Sequence, residues 1–124
     1  MTHPLRVLLV DDATQARRAI AALLRTVSFV VIAGEAESGE RALALIAEAR
    51  PDVVVIDIAM PGMSGVEATR RITERWPAID VIVLSLYADR HADALAAGAV
   101  ACVSKTDPTE RLLEALIEVM GCES

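Results

Sequence analysis

Aromatic side chains are almost absent from this chain: Phe29, Trp76 and Tyr87 are the whole set among 124 residues. Its core must therefore be assembled from Ala, Val, Leu and Ile. Hydrophobic residues still make up 54% of the chain, which excludes a disordered polymer unable to bury enough apolar surface to offset its ordering entropy. Long apolar runs are missing. None approaches the roughly 20 residues of a membrane helix, and no secretory leader is expected. Cysteine is scarce, and Cys102 and Cys122 do not make a disulfide framework. Positive charge is in deficit: the formal net charge is −6. An acidic domain repels a phosphate backbone, so direct nucleic-acid contact is disfavoured. There is no basic block, internal repeat or low-complexity stretch. The expectation is one cytoplasmic domain over residues 1–124, without membrane contact.

What is present is alternation. Short apolar runs predict strands at Arg6–Val10, Phe29–Ala33, Val53–Ile56, Val81–Leu84 and Val100–Val103. Between them lie helical patterns. Ala16, Ile20, Leu23 and Leu24 share one face of a helix over 14–26, and Gly34 is read as the end of the second strand. Ser38 caps a second helix that Pro51 stops. Ser64-Gly65-Val66-Glu67 predicts a capping box opening a third helix, which ends at Trp76-Pro77. Asp89 opens a short fourth helix closed by Gly98. Asp107 and Pro108 start the last, which runs to about Met120. The strands are apolar on consecutive residues, which implies burial on both faces and a parallel sheet with helices on each side. The fold class is therefore α/β, a doubly wound (βα)5 domain.

The polar residues fall at one edge of this sheet. Asp11 and Asp12 follow the first strand, Asp57 the third, Ser85 the fourth and Lys105 the fifth. In a parallel sheet all strand C-termini share an edge, and ligands bind there where the strand order reverses. Asp57 ends a stretch built for burial, where an ionised carboxylate costs several kcal/mol unless paired. It is either satisfied by backbone amides or placed next to a cation. Taken singly, Asp11 and Asp12 could cap a helix, Asp57 could form a turn, and Ser85 and Lys105 could be ordinary surface groups. Together they form a crevice. Three carboxylates in one crevice raise the pKa of at least one, and a divalent cation relieves the repulsion. Oxygen ligands with few protein contacts suit Mg²⁺, without excluding Mn²⁺ or Ca²⁺.

The motifs LLVDD (8–12), VVVIDIAMPGMSG (53–65), VIVLS (81–85) and GAVACVSK (98–105) resemble the receiver domain of two-component response regulators. The likeness runs over essentially the whole chain. GEAESGERALALI followed by PDVVVIDIAMPGMSGVEATRRI is most similar to the NarL/FixJ branch, whose members commonly carry a C-terminal helix-turn-helix. The resemblance implies a flavodoxin-like sheet of order 2-1-3-4-5. It implies Asp57 as phosphoacceptor from a histidine kinase or phosphotransfer protein. Mg²⁺ would be held by Asp11, Asp12, Asp57 and the Ala59 main-chain carbonyl. Lys105 and the Ser85 hydroxyl would bind phosphoryl oxygens. Such a domain is a phosphoacceptor assisting its own phosphorylation and dephosphorylation, not an enzyme in the ordinary sense. A homodimer when phosphorylated and a transcriptional output through a DNA-binding domain outside this chain are further implications.

Some positions depart from the family pattern. An aromatic commonly stands three residues before the lysine and rotates on activation. Here the residue is Cys102, so aromatic switching is in question and the loop after the fourth strand is the expected switch. Cys102 itself reads as a small buried hydrophobe. Ala59 and Tyr87 flank the expected path of the hydrolytic water: Ala59 cannot orient it and Tyr87 could screen it. A comparatively long-lived phosphoaspartate follows. Tyr87→Ala or Ala59→Asn should change its decay rate, measured as phosphate release. His3 and His91 match no functional position and are read as surface residues. The last helix, RLLEALIEVM, has a wide apolar stripe that suits either a contact surface or a tightly packed core. Two competing readings remain. One is a Mg²⁺-dependent phosphohydrolase of the haloacid-dehalogenase type, which wants an Asp where Ala59 stands. The other is an interaction module independent of phosphate.

Overall fold

The computed structural model describes residues 3–86 and 90–122. Strands β1 (Leu5–Val10), β2 (Val30–Ala36), β3 (Val53–Asp57), β4 (Asp80–Ser85) and β5 (Ala101–Ser104) form one parallel sheet in the order β2-β1-β3-β4-β5. Helices α1 (Thr14–Arg25), α2 (Gly39–Ala49), α3 (Gly65–Arg75), α4 (His91–Ala96) and α5 (Thr109–Cys122) alternate with them. The sequence expectation of fold and strand order is met.

Consecutive apolar residues divide between two cores. Val7, Leu9, Val53, Val55, Ile82 and Leu84 face the side of Leu24 and Leu116 on α1 and α5. Leu8, Val10, Val54, Ile56, Val81 and Val83 face the side of Ile46 and Ile72 on α2 and α3. Successive side chains point to opposite faces and both faces are covered, so the central strands are apolar without a break over Val7–Val10 and Val53–Ile56. Buried alanines at 42, 68 and 94 let three helices approach the second face closely. On α5, Leu112, Ala115, Leu116 and Val119 are buried, while Ile117 is exposed. Most of its apolar stripe is therefore core.

Several boundaries differ from the sequence reading for physical reasons. Strand β2 does not stop at Gly34. The β1–β2 register shifts between Val7 and Leu8, so Val7 pairs with Ile32 but Leu8 with Gly34. Gly34 sits at this irregularity, and a Cβ there would lie 3.3 Å from Leu8 Cδ1. The capping box is half formed. Ser64 Oγ accepts the Glu67 amide at 3.2 Å, but the Glu67 carboxylate pairs with Arg70 and Arg71 instead of returning to Ser64. Helix α2 ends as Arg50 enters the left-handed region (φ +48°), one residue before Pro51 disfavours helical backbone. Gly98 (φ +116°) follows α4, and a Cβ there would meet the Thr73 side chain. Asp89, the expected opening of that helix, and Tyr87 lie outside the described residues.

Candidate functional site

The strand register levels the polar residues with one another. Asp57 is opposite Leu84 across β3–β4, Ser85 is opposite Ser104 across β4–β5, and the Lys105 amide donates to the Ser85 carbonyl at 2.8 Å. Asp11 continues β1, its amide donating to the Ala36 carbonyl of β2 at 3.1 Å. The order of the sheet reverses direction between β1 and β3, and Asp11, Asp12 and Asp57 gather at that point.

Carboxylate oxygens of Asp11, Asp12 and Asp57 lie within 4.8 Å of one another. Asp57 and Asp11 are buried, at 6% and 2% exposure, and Asp12 is exposed. Lys105 Nζ stands 3.1 Å from Asp57 Oδ2 and 3.2 Å from Asp11 Oδ2. The remaining oxygens of the two buried acids take backbone amides: Asp11 Oδ1 accepts from Ala13 at 2.9 Å, and Asp57 Oδ1 from Ala59 at 3.3 Å. Both alternatives posed for Asp57 therefore hold at once, an amide on one oxygen and a cation on the other. Asp12 has no hydrogen bond or ion pair among the described residues. Ser85 is fully buried at the end of β4.

Burial pushes the Asp57 carboxyl up, against the opposing pull of the Lys105 hydrogen bond and charge; the neighbouring Asp11 adds a smaller push. The rise expected from three crowded acids is present, but desolvation is its main cause. For Lys105 burial is the largest single influence and pulls its pKa down, yet the hydrogen bonds and charges of Asp57 and then Asp11 outweigh it, and the net shift is upward. The lysine is held as a cation. Three carboxylates and one ammonium leave a formal charge of −2 when all are ionised. That is the deficit a divalent cation fills, and the exposed, unpaired Asp12 gives it an approach. The donor set is all oxygen, as Mg²⁺ prefers.

Cys102 is half-buried, packs against the α2–α3–α4 core and donates its thiol to the His91 carbonyl at 3.6 Å. Burial raises its pKa, the environment of an inert thiol. His3 is exposed as expected, with Nδ1 4.0 Å from Asp52. His91 is not the surface residue the sequence suggested. It is partly covered, and its Nε2 is buried without a partner among the described residues; α4, which starts at this residue, packs on α3, β4 and β5. The sequence reading missed Arg17 and Glu35, which approach the β1–α1 turn, and the role of Gly65. Arg17 reads as one polar residue on a helix face, and Glu35 lay beyond the assumed end of its strand.

Fold and acidic cluster together define a doubly wound domain with a cation-ready carboxylate pocket at its switch point. The chain belongs to the response regulator receiver domain family, whose model matches residues 7–117. It is thus a two-component signalling domain, of a class that interacts with histidine kinases. It is 33% identical over 119 residues to the response regulator GacA of Pseudomonas aeruginosa, covering 94% of this chain and 56% of that protein. It is 33% identical over 114 residues to the transcriptional regulatory protein LiaR of Bacillus subtilis, covering 90% and 54%. A protein-glutamate methylesterase/protein-glutamine glutaminase of Myxococcus xanthus is 40% identical over 106 residues, covering 82% of this chain and 30% of that protein. The chain thus spans little more than half, or less, of these relatives. Among solved structures, the receiver domain of the response regulator NarL from Mycobacterium tuberculosis superposes with a TM-score of 0.87 at 27% identity, covering 94% and 96%. A LuxR-family response regulator from Aurantimonas gives 0.89 at 29% identity, covering 95% and 86%. No helix among the described residues is long and apolar enough to cross a membrane.

Proposed function

We propose that Asp57 accepts one phosphoryl group from a phosphohistidine partner, and that the resulting acyl phosphate is the signal. The observation that carries this reading is Lys105 Nζ, 3.1 Å from the Asp57 carboxylate and 3.2 Å from Asp11. An Asp57 oxygen attacks phosphorus, the P–O bond forms as the P–N bond breaks, and the imidazole leaves with its electron pair. Lys105 neutralises charge on the transferring oxygens. The Ser85 hydroxyl, at the end of the neighbouring strand, binds another of them. Asp11, Asp12, Asp57 and the Ala59 carbonyl would hold Mg²⁺, which supplies charge neutralisation at the phosphoryl group when bound. The amides of Ala13 and Ala59 fix the two buried carboxylates beforehand. Alignment and neutralisation are most of what phosphoryl transfer asks of a protein.

This is a single-turnover acceptor rather than a multiple-turnover phosphohydrolase, since Ala59 offers no acid or base beside Asp57. The output is a transcriptional one through a DNA-binding domain outside these residues; the transcriptional part is supported by the name of LiaR, a transcriptional regulatory protein. Incubation with acetyl phosphate and Mg²⁺, followed by intact mass, tests the reading. The expected product is one phosphoryl adduct per chain, dependent on Mg²⁺ and cleaved by hydroxylamine as an acyl phosphate is. Sustained phosphate release without an adduct would favour a hydrolase, and no adduct at all would favour a phosphate-independent module.

A further inference from the structure

Three observations around the β1–α1 turn have one explanation. The first is the irregularity in β2. Val30 and Ile32 face the α1–α5 core, whereas Ala36 belongs to the opposite core. A regular strand would put residues 30, 32, 34 and 36 on one face. The register shift reverses the phase, so Glu35 and not Ala36 is turned toward α1. The second is what Glu35 meets there. Arg17 Nε donates to Glu35 Oε1 at 3.0 Å, and Arg25 Nη2 lies 3.8 Å from Glu35 Oε2. The Arg17 side chain is only 14% exposed. The third is the other end of the same guanidinium: Arg17 Nη1 donates to the main-chain carbonyl of Asp11 at 2.6 Å.

That carbonyl belongs to the planar peptide joining Asp11 to Asp12. Holding its oxygen fixes the orientation of the peptide and therefore the starting point of the Asp12 side chain. Asp12 has no partner of its own among the described residues, so its carboxylate is placed by the backbone alone. Ala13 at the N-cap of α1 offers no side-chain cap, and the Asp11 Oδ1 bond to the Ala13 amide holds the Asp11 side chain rather than the Asp11–Asp12 carbonyl.

We infer that Arg17, clamped by Glu35, is a positioning residue for the cation pocket. It sets the Asp11–Asp12 peptide so that the exposed Asp12 carboxylate faces the two buried ones. This rests on the Mg²⁺ reading of the same site. It also carries a diagnostic sign. Arg17 is a positive charge near an acidic pocket, so charge alone makes Arg17→Met a tighter Mg²⁺ binder. Positioning makes it a weaker one, by the tenfold or more typical of lost partners behind metal ligands. Arg17→Lys keeps the charge, but one ammonium cannot reproduce both the Nε and Nη1 bonds.

The test is the Mg²⁺ dissociation constant of the parent, Arg17→Met and Arg17→Lys, followed by backbone amide shifts in NMR titrations, with urea unfolding of each in the same buffer. The expected result is about a tenfold or greater weakening for Arg17→Met and a smaller one for Arg17→Lys, at Mg²⁺ concentrations where both are folded. A folded Arg17→Met binding as tightly as the parent or tighter overturns the inference, as does an Arg17→Lys indistinguishable from the parent should the methionine variant not fold. A parent that fails to bind Mg²⁺ at all removes the pocket reading itself, and this inference with it.

Discussion

Asp57→Asn takes up no phosphoryl group from acetyl phosphate under conditions that label the parent to completion. An amide oxygen is a far weaker nucleophile than a carboxylate, and the neutral group loses the charge that holds Lys105 from that side. Lys105 keeps its 3.2 Å contact to Asp11, so the variant retains a folded pocket with its ammonium in place. The same substitution has a second, opposite effect on stability. Burial raises the Asp57 pKa in the folded protein. A group with a raised folded pKa contributes stability that is complete below its unfolded value, about 3.9 for Asp, and lost as pH rises through the folded value. At neutral pH without Mg²⁺ the parent therefore carries the cost of an ionised, desolvated carboxylate, and Asn carries none. Urea midpoints in chelator at pH 7 should place Asp57→Asn at or above the parent, with the difference shrinking as the pH falls toward that unfolded value. Intact mass after acetyl phosphate treatment checks the first effect. Labelling of the Asn variant at the parental rate would move the acceptor elsewhere.

The pocket was legible because parallel topology does the gathering. Once five buried strands are recognised, everything polar that follows them shares an edge, and Asp11, Asp12, Asp57, Ser85 and Lys105 need no further information to be placed together. What escaped is contact that depends on side-chain reach and local phase. The apolar run ended at Ile56 and Leu84, yet the ladder continues through Asp57 and Ser85, because backbone hydrogen bonds do not depend on side-chain polarity. Gly34 looked like a strand terminator by composition. In the fold it lies at the register shift that turns Glu35 toward Arg17, a contact between residues 18 apart in the chain that no periodicity announces. Glu67 fitted the capping-box spacing, but two arginines on the following turn compete for the same carboxylate. His91 carried no motif, and only tertiary packing buries its ring nitrogen.

Gly65→Ala tests how closely the acceptor depends on its scaffold. Gly65 is the first residue of α3, and its amide donates to the Ile58 carbonyl at 2.9 Å. A Cβ built there would lie 2.6 Å from Ile58 Cα and also against the Asp57 carbonyl carbon and oxygen. All three are main-chain atoms, so no rotamer change relieves the clash. Either α3 retreats or the end of β3 shifts, and Asp57 sits on that end. Overpacking of this kind costs roughly 1–3 kcal/mol, which a domain with typical stability of about 5–15 kcal/mol survives. Catalytic geometry is less forgiving: a displacement near 1 Å at a reacting group can cost about 100-fold in rate. Gly65→Ala should therefore stay folded with a lowered urea midpoint while its initial rate of labelling by acetyl phosphate falls about 100-fold. Gly121→Ala is the control: it lies in α5 and a Cβ there meets nothing within 4 Å, so it should leave the labelling rate unchanged and should not lower the midpoint. If Gly65→Ala labels at the parental rate, β3 tolerates the displacement and Asp57 is positioned chiefly by Lys105 and the Ala59 amide. If its midpoint is also parental, the close approach of α3 to β3 is not as tight as the backbone places it.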